Sequence, residues 1–294
     1  MNRRPGRRTW SLAVHGGAGV NRGEALLEDR AAEIRAALRD VLAAGARLLE
    51  RGGSSLDAVE ETVRLLEDSP LFNAGRGSVF NARGEIELEA SVMDGRTLGT
   101  GAVAGLRGIR NPVVLARRVM ERSPHVFLYG EGAAAFASAE GIEAADEAWF
   151  WTAHRWKALE AARRSPPAVP PSGEHGTVGA VAIDRHGNLA AATSTGGLTN
   201  KWPGRVGDSP IIGAGCFASN DSCAVSCTGQ GEFFIRATVA RDIAAAIEYA
   251  GEDVQRAADL AVHHRLSALG GEGGAIAVDT AGTVAFAFNT ETML

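Results

Sequence analysis

Four of the chain's ten prolines, Pro166, Pro167, Pro170 and Pro171, crowd into residues 163–176, which then run directly into Thr177-Val178-Gly179-Ala180-Val181-Ala182-Ile183. Proline fixes φ and removes a backbone donor, so residues 163–176 are expected to form neither a helix nor an inner strand. The apolar run after them reads as a buried strand whose first residue carries a hydroxyl. The junction Gly176-Thr177 is therefore arranged like a place to be cut. A cut there would give Thr177 a free α-amine beside its own hydroxyl, a base and a nucleophile on one residue.

The rest of the chain must build the scaffold around that strand. Its 294 residues suffice for a substantial core, as one large domain or two small ones. An apolar share of 45% and a charged share of 22% are those of an ordinary globular protein. A net charge of −5, with no aromatic-basic patch, gives no reason to expect nucleic acid as a partner. Only Lys157 and Lys201 are lysines, a bias more in keeping with genome composition than with chemistry. Basic residues 1–8 are followed by no apolar region, so they do not read as a secretory signal, and no apolar run approaches membrane-spanning length. Cys216, Cys223 and Cys227 are an odd set without C-x-x-C spacing and read as reduced, buried thiols of a cytoplasmic protein.

Residues 10–15 read as a strand closed by Gly16-Gly17-Ala18-Gly19. Residues 29–51 carry apolar positions at helical spacing (Ile34, Leu38, Val41, Leu42, Leu48, Leu49) and end at Gly52-Gly53. Ser54 with Asp57 starts a second helix running to about Glu67, and 68–83 is a Gly- and Asn-rich loop. Residues 85–93 alternate as a half-buried strand does, Ile86, Leu88, Ala90 and Val92 against Glu85, Glu87 and Glu89. Helices are expected over 111–122, 131–140 and 145–162. After the proline segment come strands over 177–184 and 188–194, joined by a tight turn, then 211–217 and 224–228. Helices over 232–250 and 254–269 and a hairpin of 274–279 with 283–288 close the chain. Tight turns between strands and helices grouped in runs predict an α+β fold, two antiparallel sheets with helices on both outer faces. The halves 1–176 and 177–294 are interdependent, because neither has strands enough to close a sheet pair.

Common chemistries find no support. No G-x-G-x-x-G, Walker A, H-E-x-x-H or G-x-S-x-G motif exists, and the seven histidines show no metal-ligand grouping. Instead, hydroxyl residues and glycines cluster at strand ends: Thr193-Ser194-Thr195-Gly196-Gly197, then Pro203-Gly204-Arg205-Val206-Gly207-Asp208-Ser209-Pro210, then Ser226-Cys227-Thr228-Gly229-Gln230-Gly231-Glu232. Any one would pass for turns and strand filler, but strand ends are where a rigid scaffold presents reactive groups.

With His15-Gly16-Gly17-Ala18-Gly19, Pro70-Leu71-Phe72-Asn73-Ala74-Gly75 and Met93-Asp94-Gly95, these motifs make the chain resemble, nearly end to end, the plant-type L-asparaginases or isoaspartyl peptidases of the N-terminal-nucleophile hydrolases. The resemblance implies a four-layer αββα sandwich and a precursor that cuts itself between Gly176 and Thr177. Its α and β chains would stay together and pair as an (αβ)2 assembly. It implies hydrolysis of asparagine to aspartate and ammonia, and of β-aspartyl dipeptides, with Thr177 as nucleophile and no required cofactor. Thr195 matches the residue bonded to the nucleophile, Arg205 the grip on the substrate α-carboxylate and Asp208 the partner of its α-ammonium. Thr228 and the Gly229 N–H match the oxyanion hole. Val206, Gly207, Gln230 and Gly231 belong to the same substrate-binding segments, and Asn73 matches a residue placed near the nucleophile. The loop after the second helix resembles a sodium loop, with carbonyls of Leu66, Glu67, Ser69, Phe72, Ala74 and Arg76 as ligands of a structural Na⁺.

The 163–176 linker is shorter than in many members, and the chain ends at Leu294, where many continue. The competing readings are a glycosylasparaginase, a threonine aspartase, and a precursor that never matures and serves as a scaffold. Glycosylasparaginases usually replace the Leu198-Thr199-Asn200-Lys201 segment kept here and carry disulfides.

Overall fold

The computed structural model describes residues 10–19, 28–164 and 176–294. Prolines 166, 167, 170 and 171 and the basic residues 1–8 lie outside them. Helix α1 spans Glu28–Glu50 and α2 Ser55–Asp68; the Ser54 hydroxyl accepts the Asp57 N–H at 3.1 Å, capping α2 where the sequence placed its start. One sheet takes its strands from both halves of the chain: β1 Ser11–His15, β3 Leu88–Asp94, β4 Thr100–Leu106, β5 Phe127–Tyr129, β6 Val178–Ile183 and β7 Leu189–Thr195, in the order β1-β6-β7-β3-β4-β5. A second sheet is ordered β11-β10-β9-β8, with β8 Cys216–Ala218, β9 Cys223–Gly229, β10 Gly273–Asp279 and β11 Val284–Phe288. A short ladder pairs β2 (Ala18–Gly19) with β12 (Thr292–Met293), and Leu294 exchanges main-chain bonds with Gly16 and Gly17 at 2.8 and 2.9 Å.

Three apolar clusters show why strands in this protein carry little polar alternation. On one face of the larger sheet, Val178, Ala180, Ala182, Ala190 and Ala192 pack under Val59, Val63 and Leu66 of α2, with Val113 and Leu115 of α3 (Pro112–Arg122). From its other face, Val181, Ile183, Leu189 and Ala191 meet Cys216, Ala224, Ile276 and Val278 of the second sheet. The far face of that sheet, with Cys223, Val225, Cys227, Ala275 and Ala277, is covered by Ile243, Ala244, Ala258 and Val262. Burial on both faces removes the period-2 pattern that marks a half-exposed strand. The architecture is mixed α+β. All three cysteines are buried and unpaired, with Cys223 and Cys227 in one cluster as the strand spacing requires. Among the described residues no helix is long and apolar enough to cross a membrane.

Several expectations need correction. Glu87 and Glu89 are not a solvent face, since both are buried and β3 is covered on both sides. Strand β4 (TGAVAGL), which the sequence reading did not assign, is mostly glycine and alanine, and Gly101 marks where the α3 backbone presses on it. The β4–β5 pairing is parallel, so the sheet is not wholly antiparallel. Of the expected 211–217 strand only 216 and 217 are in one, as part of β8 (Cys216–Ala218); Ile211 and Ala214 are instead held in turns, with Gly213 at φ 90°. The expected helix over 145–162 splits into α5 (Glu147–Phe150) and α6 (Ala153–Arg164), following α4 (Gly130–Ala139). That over 232–250 breaks at Thr238, φ 48°, into α7 (Gly231–Ala237) and α8 (Val239–Ala250). The last helix starts as α9 (Val254–Asp259) and widens into π-helical Leu260–Leu266.

Candidate active site

Thr177 stands at the foot of β6, next to β7 in the middle of the larger sheet, and is 6% exposed. Antiparallel pairing of β6 with β7 brings the last residue of β7 back beside it, and the Thr177 hydroxyl donates to Thr195 Oγ1 at 3.2 Å. Thr195 Oγ1 also accepts the Gly197 N–H at 3.0 Å, which orients it. The Gly176 carbonyl accepts the Asn73 N–H at 3.1 Å. A Cβ on residue 176 would lie 2.5 Å from the Asn73 Cβ, so close approach alone demands glycine there. Asn73 is held at three other points: its Nδ2 donates to the Gly197 carbonyl (2.7 Å), its Oδ1 accepts Val79 N–H (2.9 Å) and its carbonyl accepts Gly196 N–H (3.0 Å).

Thr177 and Thr195 open onto a pocket lined also by Gly197, Leu198, Arg205, Gly207, Asp208, Ser209 and Gly229. Its free volume is about 10 Å³, space for roughly one water. Arg205 presents its guanidinium fork to Glu232, Nε and Nη2 donating at 2.9 and 3.0 Å. Asp208 is buried with Oδ2 unpartnered; burial pushes its pKa up to about 7 against the pull of Arg205. A half-buried guanidinium held on one edge by Glu232 and a carboxylate with a free oxygen suit a small zwitterion, carboxylate to Arg205 and ammonium to Asp208.

Thr228, at the end of β9, accepts the Ala18 N–H at 3.2 Å, tying the glycine turn after β1 to the site. Gly229 has φ 154° and no room for a side chain, with the Glu272 carbonyl 2.5 Å from a would-be Cβ. Gly231 packs against Arg205 Nη2 and Asp208 Oδ1, and Gln230 is pinned by accepting the Glu272 N–H at 3.1 Å. Thr228, Gln230, Gly231 and Asn73 thus border the pocket rather than line it, and Val206 lies between two lining segments without facing it.

Three features escaped the sequence reading. His15 is buried with Nε2 2.9 Å from Ser226 Oγ, and Ser226 in turn lies 2.7 Å from Thr193 Oγ1. Burial drives the His15 pKa down to about 3, against a bond to the Thr177 main chain, so the ring is neutral. Ser209 offers a second unpartnered buried oxygen beside Asp208. Glu87 and Glu89 underlie the 204–208 segment, with Lys201 between them. Only the adjacency of β1, β6 and β9, or of β3 and the 201–208 loop, reveals these partners.

A family model described as Asparaginase matches residues 8–294. The chain belongs to the asparaginase family. Among family relatives, the isoaspartyl peptidase of Escherichia coli (strain K12) is 54% identical over 291 residues, covering 96% of this chain and 90% of its own length. The isoaspartyl peptidase of Salmonella typhimurium is 52% identical, with 96% and 93% covered. The isoaspartyl peptidase/L-asparaginase of Bos taurus is 44% identical, with 96% and 91% covered.

Proposed function

We propose that this protein is a self-processing threonine amidohydrolase acting on L-asparagine and β-aspartyl dipeptides. The observation that carries the reading is the Thr177 hydroxyl, bonded to Thr195 at 3.2 Å, at the mouth of a pocket holding Arg205 and Asp208. In the precursor, Thr177 Oγ attacks the Gly176 carbonyl carbon; the C–N bond breaks as the new C–O ester forms. Water hydrolyses the ester, leaving a Gly176 carboxylate and a free Thr177 α-amine. The Asn73 N–H already points at the oxygen that becomes negative during this attack.

In the mature enzyme the α-amine, with an ordinary pKa near 8, takes the Thr177 hydroxyl proton. Oγ attacks the side-chain amide carbon of asparagine, or the isopeptide carbon of a β-aspartyl dipeptide. Thr228 and the Gly229 N–H stabilise the oxyanion, and the amine proton passes to the departing ammonia or amino acid. Water, deprotonated by the same amine, then releases aspartate. Arg205 and Asp208 fix the aspartyl end, so the group beyond the scissile bond is free to vary.

The series of three apolar clusters supports reading the layers as an αββα sandwich. The 66–76 loop suits a hard monovalent cation held by carbonyls of Leu66, Glu67, Ser69, Phe72, Ala74 and Arg76. Gly75 lacks a side chain where the Glu67 carbonyl presses close and Gly77 where the Phe72 carbonyl does, and Glu67 Oε2 is buried and unpartnered. Such an ion would stiffen the loop that carries Asn73. The same reading covers a cytoplasmic (αβ)2 enzyme needing no other cofactor.

Intact mass of the purified protein tests the proposal. Two polypeptides are expected, the second beginning at Thr177, with ammonia released from asparagine; Thr177→Ala abolishes both. A chain that stays whole and releases neither ammonia nor aspartate refutes it.

A further inference from the structure

We propose that Glu87 and Glu89 are positioning residues whose carboxylates latch the 204–208 segment onto β3 and so aim Arg205 and Asp208. The proposal rests on the substrate roles given above to those two residues. The Gly204 N–H donates to both oxygens of Glu87, at 3.0 and 3.2 Å, and the Gly207 N–H donates to Glu89 Oε2 at 2.9 Å. Two main-chain donors on either side of Arg205 and Val206 thus meet two acceptors, Glu87 just before β3 and Glu89 within it. A side chain at 207 would intrude between Arg205 Nη1 (2.8 Å) and Glu89 Oε2 (3.3 Å), so glycine permits the close stack.

Lys201 completes the arrangement. Its Nζ donates to Glu89 Oε1 at 3.2 Å and to the Glu87 carbonyl at 3.1 Å, and both side chains of the ion pair are essentially buried, at 1% and 0% exposed. A buried ion pair of this kind loses in desolvation much of what it gains in attraction, so stability is a weak account of it. Keeping the Glu89 carboxylate aimed at Gly207 is a better one, because Lys201 holds one oxygen while the other meets the Gly207 N–H. The other main-chain bonds of the 201–208 segment are the Ala82 N–H to the Lys201 carbonyl at 2.8 Å, at one end, and local turns such as Arg205 N–H to the Trp202 carbonyl at 3.0 Å. After the proposed cut, β3 and the 204–208 segment belong to different chains, and the latch carries the alignment between them.

Two pairs of variants separate latching from plain packing. Glu89→Gln/Lys201→Met and Glu89→Leu/Lys201→Met both remove the buried charges, but only glutamine leaves Gly207 an acceptor. Glu87→Gln and Glu87→Ala make the same contrast at the end beside exposed Gly204 and Arg107, where folding is less at risk. Steady-state kinetics on a β-aspartyl dipeptide and calorimetric titration with L-aspartate are run on each processed protein. The Leu and Ala variants should raise KM and the aspartate Kd about tenfold, the size of one lost buried hydrogen bond, with kcat within about threefold. The matching Gln variants should recover most of that loss. Equal KM and Kd in the Gln and Leu or Ala members of both pairs overturns the latch, as does a loss confined to kcat. If the Leu double variant does not fold, the Glu87 pair decides. A wild-type protein without turnover counts against the proposed activity instead, and the aspartate titration still scores the latch.

Discussion

Gly176→Ala isolates the first of the two reactions assigned to Thr177. A methyl at residue 176 would sit 2.5 Å from Asn73 Cβ, about 1 Å inside ordinary carbon contact. Asn73 cannot retreat, because its amide and carbonyl are bonded to Gly197, Val79 and Gly196. The 176 backbone must therefore move, and the 3.1 Å bond from the Asn73 N–H to the Gly176 carbonyl is lost. That carbonyl oxygen is the one that gains charge as Thr177 attacks. Loss of one preformed oxyanion donor slows such a step about 100- to 1,000-fold. The assay is a time course of intact mass on freshly purified precursor, with thermal unfolding as a check that the variant is folded. Once cut, the variant should turn over asparagine like the wild type, because residue 176 then ends the other chain. A folded variant that processes within about threefold of the wild-type rate would refute the reasoning.

Other consequences are equally direct. Thr195→Val keeps the shape of the site but removes the oxygen bonded to Thr177, and should lower kcat about 10- to 100-fold with little change in Tm. Asp208 must be ionised to hold an ammonium, and its pKa of about 7 means that KM should fall as pH rises from 6 to 8; Asp208→Asn should remove that dependence and raise KM by about tenfold or more, read from initial rates. Burial lifts the Glu67 carboxyl to about 8, above its ordinary 4.5, despite bonds from Ser194 and the Val113 N–H. A folded pKa raised in this way gives stability that is complete below about pH 4.5 and lost as pH climbs through 8. Tm should fall over that window in the wild type and stay flatter in Glu67→Gln, measured by calorimetry.

What could be read without coordinates was governed by local chemistry. Ser54 caps α2 through a bond three residues away, and Asp184 organises the β6–β7 turn by accepting the His186 and Asn188 N–H groups at 2.8 and 3.0 Å. Such contacts lie within a few residues of their cause. The Gly176-Thr177 junction was legible for the same reason, as an abrupt change from prolines to a buried strand. Glu87 and Glu89 misled because carboxylates buried against a distant loop alternate with apolar neighbours just as exposed ones do, and the deciding partners are more than 100 residues away. Strand β4 hid behind glycines and alanines chosen for close packing with α3. The break at Thr238 leaves no mark in an apolar run that suits one long helix.

The placing of β6 and β7 between β1 and β3 changes what unfolding means for a processed molecule. Before cutting, refolding is a unimolecular search by one chain. After the proposed cut β6 and β7 would belong to a separate polypeptide, and restoring the sheet would require two chains to meet. The precursor should therefore refold at a yield independent of dilution, while the cut enzyme loses recovery as it is diluted and persists chiefly by unfolding slowly. Processing, on this view, converts an equilibrium fold into a kinetically held one.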